Sequence, residues 1–133
     1  MKAFANIAAL AVLIIASPPS SSEDAPQAMA EKAALSWLGL VDAGDYAQSW
    51  VTAADYFQNS IEQWQWVSKV SQVRAPLRAV KSRTVSSVTF ARSLPGVPDG
   101  EYFVIQFATA FRKKAPATET VTVMKNPDGR WCT

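Results

Sequence analysis

From Tyr102 to Phe111 the chain alternates without a break. Phe103, Ile105, Phe107, Thr109 and Phe111 fall on one side, and Tyr102, Val104, Gln106, Ala108 and Ala110 on the other. A period of two, rich in aromatic and β-branched side chains, predicts a strand with one strongly apolar face. The segment before it, residues 94–100, holds Pro95-Gly96 and Asp99-Gly100, turn dipeptides that predict a hairpin loop. Residues 80–94 read as the partner strand, with Val88 and Phe90 on one face and Ser87 and Thr89 on the other. Beyond the central strand, residues 112–117 read as a turn broken by Pro116. Residues 119–124 then read as a third strand with Val121 and Val123 inward. Asn126-Pro127-Asp128-Gly129 is a turn signal that launches a fourth strand, of which Arg130 to Thr133 are present.

Upstream the period changes to three and four. Ala30, Ala33, Ala34, Trp37, Leu38 and Val41 share one helix face, predicting a helix over residues 28–41 that Gly44 stops. Asp45 reads as the N-cap of a second helix over residues 46–56, with Tyr46, Trp50, Ala53, Ala54 and Phe57 as its stripe. Ser60 and Gln63 have the spacing of a capping box opening a third helix, with Ile61, Trp64, Val67 and Val70 inward and Trp66 off the stripe. That helix ends near Arg74 because Pro76 cannot continue it. The whole is an α+β plan: three N-terminal helices packed on an antiparallel meander of three to four strands, the last one short.

Trp37-Leu38, Asp42-Ala43-Gly44-Asp45-Tyr46, Ser49-Trp50, Arg74-x-Pro76-Leu77 and Arg83 occur in that order. They are followed by Leu94-Pro95-Gly96-x-Pro98-Asp99-Gly100-Glu101-Tyr102, Phe111-x-Lys113, Glu119-Thr120-Val121 and Asp128-Gly129-x-Trp131. As a set, covering residues 30–131, these resemble the exported bacterial family known only as a domain of unknown function, number 4019. The resemblance implies a plan similar to nuclear-transport-factor-2-like folds, a cone of curved sheet with helices across its mouth. It also implies a closing strand running beyond Trp131, so that the strand over residues 119–124 is expected to keep an unpaired edge suited to an edge-strand dimer. At Arg78 the chain departs from the family pattern, which usually has glycine after Pro-Leu; the local turn is expected to differ there.

The N-terminus adds an address. Lys2 precedes an uncharged, largely apolar run over residues 3–16, then a Ser/Pro breaker, which is the order of a secretory signal peptide. The run is short of the roughly 20 residues of a membrane span. Cleavage is expected between residues 16 and 28, and the polar, proline-rich stretch 17–27 reads as a disordered linker. Residues 28–133 then form one α+β domain. No cysteine follows the apolar run, so no lipid anchor is expected, and a periplasmic or secreted location is the expectation. Formal net charge is +2, one unit of it from Lys2, which is no footprint for nucleic acid. Cys132 is the single cysteine, expected as an exposed thiol or a link to another chain.

Composition also limits the chemistry. The absence of histidine removes Ser-His-Asp and Cys-His catalysis and His-ligated zinc. No phosphate loop or metal-ligand spacing is present, so no catalytic residue, metal ligand or cofactor is assigned. Asp42 and Asp45 bracket a helix junction, Asp99 and Glu101 flank a turn, and Glu119 opens a strand where Arg83 or Lys113 can pair with it. Four of the five tryptophans lie in the helical half. If a pocket opens beneath the helices, Tyr46, Trp50, Trp64 and Phe107 are the expected lining, with Arg83 as a structural or anion-facing charge. The reading is a non-catalytic small-ligand or protein-interaction domain of the cell envelope, its ligand or envelope partner unspecified. The alternatives are an enzyme using a buried Asp or Glu with a Tyr, and a truncated, inactive family member.

Overall fold

The computed structural model describes residues 21–133. Helices come first and an antiparallel sheet second, in the order α1 (Ser21–Asp42), α2 (Tyr46–Val51), α3 (Asp55–Ser60), α4 (Gln63–Arg74), β1 (Val80–Ala91), β2 (Tyr102–Phe111), β3 (Lys114–Lys125) and β4 (Trp131–Cys132). The sheet is a simple meander, β1-β2-β3-β4. This is the α+β arrangement expected from the periodicities, with a short last strand. The signal-peptide run, residues 3–16, lies outside the described residues. Among those described, no helix is long and apolar enough to cross a membrane.

The core sits where the strict alternation of β2 put it. Phe103, Ile105 and Phe107 meet Val121 and Val123 of β3 beneath Ala30, Ala34 and Leu38 of α1, all buried. Small residues at positions 30 and 34 let the helix lie close on the sheet while the aromatic rings fill the space below. Register follows the same logic: Phe103 pairs with Phe90 and Val123, and Ile105 with Val88 and Val121, so each rung keeps its apolar side toward α1.

Several boundaries differ from the sequence expectation, each for a physical reason. α1 begins at Ser21 rather than at residue 28, so residues 21–27 of the expected linker are helical, with Pro26 inside the helix. Pro26 is the sixth helical residue, past the first four N–H groups that lack intrahelical partners, so the helix forgoes one hydrogen bond there, to the carbonyl of Ser22. The single helix expected over residues 46–56 is two. Ala54 turns extended (ψ 151°) and donates its N–H to the Thr133 carbonyl at 2.7 Å, diverting the backbone toward the last strand. Asp45 precedes α2, but its side chain makes no cap hydrogen bond. The capping box that opens α4 is Glu62 with Gln65, not Ser60 with Gln63; the Ser60 hydroxyl instead donates to the Tyr56 carbonyl. β3 starts at Lys114, directly after a two-residue turn at Arg112-Lys113. Pro116 does not break it, because it falls in the register shift between the Ala117–Thr109 and Lys114–Phe111 pairs, where no ladder N–H is required.

Gly44 and Gly129 take the left-handed φ that their turns require, 79° and 87°. Arg78 does so without being glycine: φ 65°, ψ −158°, a region that side chains other than glycine rarely enter. The backbone therefore keeps a glycine-type conformation at the one position where the chain departs from the family's glycine. Arg78 is exposed and makes no ion pair among the described residues. Arg78→Gly is therefore expected to raise stability by about 1 kcal/mol, the relief of strain exceeding the added freedom of the unfolded chain. Urea unfolding followed by tryptophan fluorescence would measure it; an unchanged or lower midpoint would show that the turn is not strained.

Candidate binding site

The helical tryptophans are committed to structure. Trp37 Nε1 donates to the Ser49 carbonyl at 2.8 Å, Trp66 Nε1 to Ser49 Oγ at 2.8 Å, and Trp50 Nε1 to the Ile61 carbonyl at 2.9 Å. Ser49 is fully buried and its hydroxyl donates to the Tyr46 carbonyl. Trp66 also packs edge-on against Phe57 and beside Trp37, with ring centroids 5.0 and 5.7 Å apart. Trp66 is thus the inward tryptophan of α4, whereas Trp64, expected inward, is 70% exposed. The inward face of α4 runs through Trp66, Val70 and Arg74, so Val70 is inward as expected, while Trp66 and not Trp64 is the tryptophan on that face.

A second cluster locks the helices to the sheet. Arg83 of β1 donates to both carboxylate oxygens of Asp42 at the end of α1, and to Glu119 of β3 at 2.8 Å. Arg74 Nη2 donates to Asp42 from the end of α4, and Thr109 Oγ1 to Glu119 from β2. Burial disfavours the Arg83 charge, but the hydrogen bonds to Asp42 and Glu119 outweigh it and hold the guanidinium pKa above its ordinary value. Arg74 stacks over the Phe111 ring, 4.5 Å from its centroid, an arrangement that shelters the two guanidinium nitrogens lacking a hydrogen-bond partner. Arg83 is therefore a structural charge satisfied by carboxylates; it does not face an open anion site. The same pairing occupies the two sheltered carboxylates, Asp42 and Glu119, with guanidinium groups. The hydroxyls of Tyr56 and Tyr102 donate instead to the Gly96 and Pro98 carbonyls. Among the described residues no geometry brings a buried carboxylate and a tyrosine together. Among the described residues no group of three or more His, Cys, Asp or Glu is placed to hold a metal ion.

The five residues expected to line a pocket are thus dispersed. Phe107 is at the centre of the core, Tyr46 and Trp50 are half-buried in the helix layer, Trp64 faces outward and Arg83 sits in the ion cluster. None of them borders either of the two clefts described below.

The larger cleft, about 490 Å³, opens between α1 and the C-terminal strand. Met29, Ala33, Trp37 and Leu40 form one apolar wall, Trp131 and Cys132 the opposite one, and Lys32 and Arg130 stand among the polar lining groups. The α1 wall has its own spacing of three and four, displaced by one position from the stripe Ala30, Ala34, Leu38 and Val41 that meets the sheet. A helix with two adjoining apolar stripes has more apolar surface than one sheet face covers. That widening was the sequence signal for this site. Cys132, expected to be exposed, is 8% exposed and accepts a hydrogen bond from Asn126 at 3.5 Å. Burial pushes its thiol pKa up, away from the thiolate that nucleophilic chemistry needs.

A smaller cleft of about 220 Å³ shares Thr133 with the larger one. Ala54, Tyr56 and Phe57, Val97 of the β1–β2 loop, Tyr102 and Met124 make most of its wall.

Residues 33–133 match the family described as Protein of unknown function (DUF4019), and the chain belongs to that family. No curated protein and no solved structure matches the chain.

Proposed function

We propose that this chain is exported and acts, without catalysis, as a binding domain whose ligand seat is the cleft between α1 and β4. The observation that carries the reading is the cleft itself. Its volume falls within the roughly 300–1,000 Å³ usual for small-molecule sites, and its walls are largely apolar with a few polar groups. Lys32 makes no ion pair among the described residues, and Arg130 is 72% exposed, held only by its near neighbour Asp128. Two cations beside an apolar wall suit an aromatic or aliphatic molecule carrying one anionic group. Export is supported by Lys2 and the apolar run behind it.

One preparation tests both halves. Protein recovered from the envelope or medium of its host is expected to have the intact mass of a chain cut between residues 16 and 28. Titrated with 8-anilinonaphthalene-1-sulfonate, an apolar ring system with one anionic group, it is expected to bind at micromolar concentration. Lys32→Glu and Met29→Glu, both at exposed positions, are each expected to weaken binding about tenfold, while Val73→Glu on the exposed side of α4 changes nothing. Equal affinity in all four proteins, with near-ultraviolet circular dichroism reporting an intact fold, would remove the cleft from the reading.

A further inference from the structure

We infer that the smaller cleft, beneath the β1–β2 loop, is a second site, made for a neutral single-ring molecule bearing one hydrogen-bonding group. Size sets the first limit. At about 220 Å³ it is below the range for drug-sized ligands but above the roughly 150 Å³ of an apolar cavity that admits benzene. A single ring with a small substituent is what fits.

Polarity sets the second limit. No charged side chain borders this cleft. Its tyrosine hydroxyls are already spent inside the protein, Tyr56 on the Gly96 carbonyl at 3.2 Å and Tyr102 on the Pro98 carbonyl. Ser60 is spent likewise, on the Tyr56 carbonyl. A charged ligand would be stripped of water with nothing to replace it. Two lining hydroxyls are unspent: that of Thr122 stands at an exposed position open to water, whereas Thr133 Oγ1, on the wall shared with the larger cleft, is buried and has no hydrogen-bond partner. A buried hydroxyl without a partner is costly, and a ligand that satisfies it gains what the empty site lacks. The chemistry that answers both limits is that of a phenol.

The two tyrosine hydrogen bonds also explain how the cleft keeps its shape. Both reach into residues 94–100, the loop that supplies Val97 to the wall, so the loop is pinned over the site from α3 and from β2. The loop and its two tyrosines belong to this cleft alone; the larger cleft, which Lys32 and Arg130 suit for anions, shares only Thr133 with it.

Phenol, toluene and benzoate, titrated into the full chain and followed by heteronuclear amide chemical shifts, test the inference. Phenol is expected to shift the amides of Tyr56, Val97 and Tyr102 with a dissociation constant of about 0.1–1 mM, as befits seven heavy atoms. Toluene, which lacks the hydroxyl, is expected to bind about fivefold more weakly, the worth of one hydrogen bond; benzoate is expected not to bind there. Thr133→Val should bring phenol down to the affinity of toluene. Thr122→Trp, at an exposed strand position bordering the cleft, should abolish the shifts while leaving the unfolding midpoint near its original value. Equal affinities for phenol and toluene, or shifts confined to α1 and β4, would overturn the assignment, as would phenol binding that Thr122→Trp leaves intact.

Discussion

Phe107→Ala is expected to destabilise the protein by about 4 kcal/mol, within the range for truncating a buried phenylalanine. Phe107 is the largest of the fully buried side chains, with no accessible surface. It occupies the middle of β2, between Val85 of β1 and Glu119 of β3. Truncation leaves a void that β2 cannot close, because its rungs are held on both sides by hydrogen-bonded strands. The neighbouring Ala30 and Ala34 of α1 are too small to fill it by a change of rotamer. A domain of this size has roughly 5–15 kcal/mol in total, so the loss is a large share of it. Equilibrium urea unfolding would read the effect as a lower midpoint at unchanged slope. A loss below about 1.5 kcal/mol would mean that the core is looser than its burial indicates.

Phe107 was legible as core because the alternation of β2 is a local property: a one-residue slip would turn every apolar side chain of the strand to solvent. The apolar face of α1 and the Gly44 stop were legible for the same reason. What the sequence did not show depends on partners far along the chain. The break between α2 and α3 is made by an Ala54–Thr133 backbone hydrogen bond, and nothing between residues 46 and 56 announces it. Trp66 turns inward because Ser49, seventeen positions earlier, offers a hydroxyl to its indole N–H, and because Arg74 two turns later is drawn in by Asp42. The periodicity of α4 counts an arginine as an outward residue and so favours Trp64. The clefts were missed on similar grounds. They are framed by residues 130–133 and by the 94–100 loop, whose composition speaks of turns and not of walls. Arg83 with Glu119 was within reach as an ion pair, but the place of Asp42 at its centre was not.

Asp42→Ala is expected to cost about 3 kcal/mol, because it removes the carboxylate that two sheltered guanidinium groups share. The side chains of Arg74 and Arg83 are 9% and 10% exposed, and that of Asp42 is 26% exposed, which places the expectation at the lower end for a broken buried pair. The two arginines are not left equal. Arg83 retains Glu119, whereas Arg74 loses its one ion-pair partner and keeps only the face of Phe111. The penalty should therefore be dominated by an uncompensated charge on Arg74, and a second substitution can show it. Arg74→Met in the Asp42→Ala background removes that charge while leaving an apolar stem against Phe111. The double variant is accordingly expected to be more stable than Asp42→Ala alone by about 1 kcal/mol, a sign that independent contacts would not give. Unfolding midpoints of the two single variants and the double, in one buffer, decide it. If the double variant is less stable than Asp42→Ala, Arg74 holds α4 to the sheet chiefly by packing, and the cluster is not the electrostatic clasp between α1, α4 and β1 that its hydrogen bonds describe.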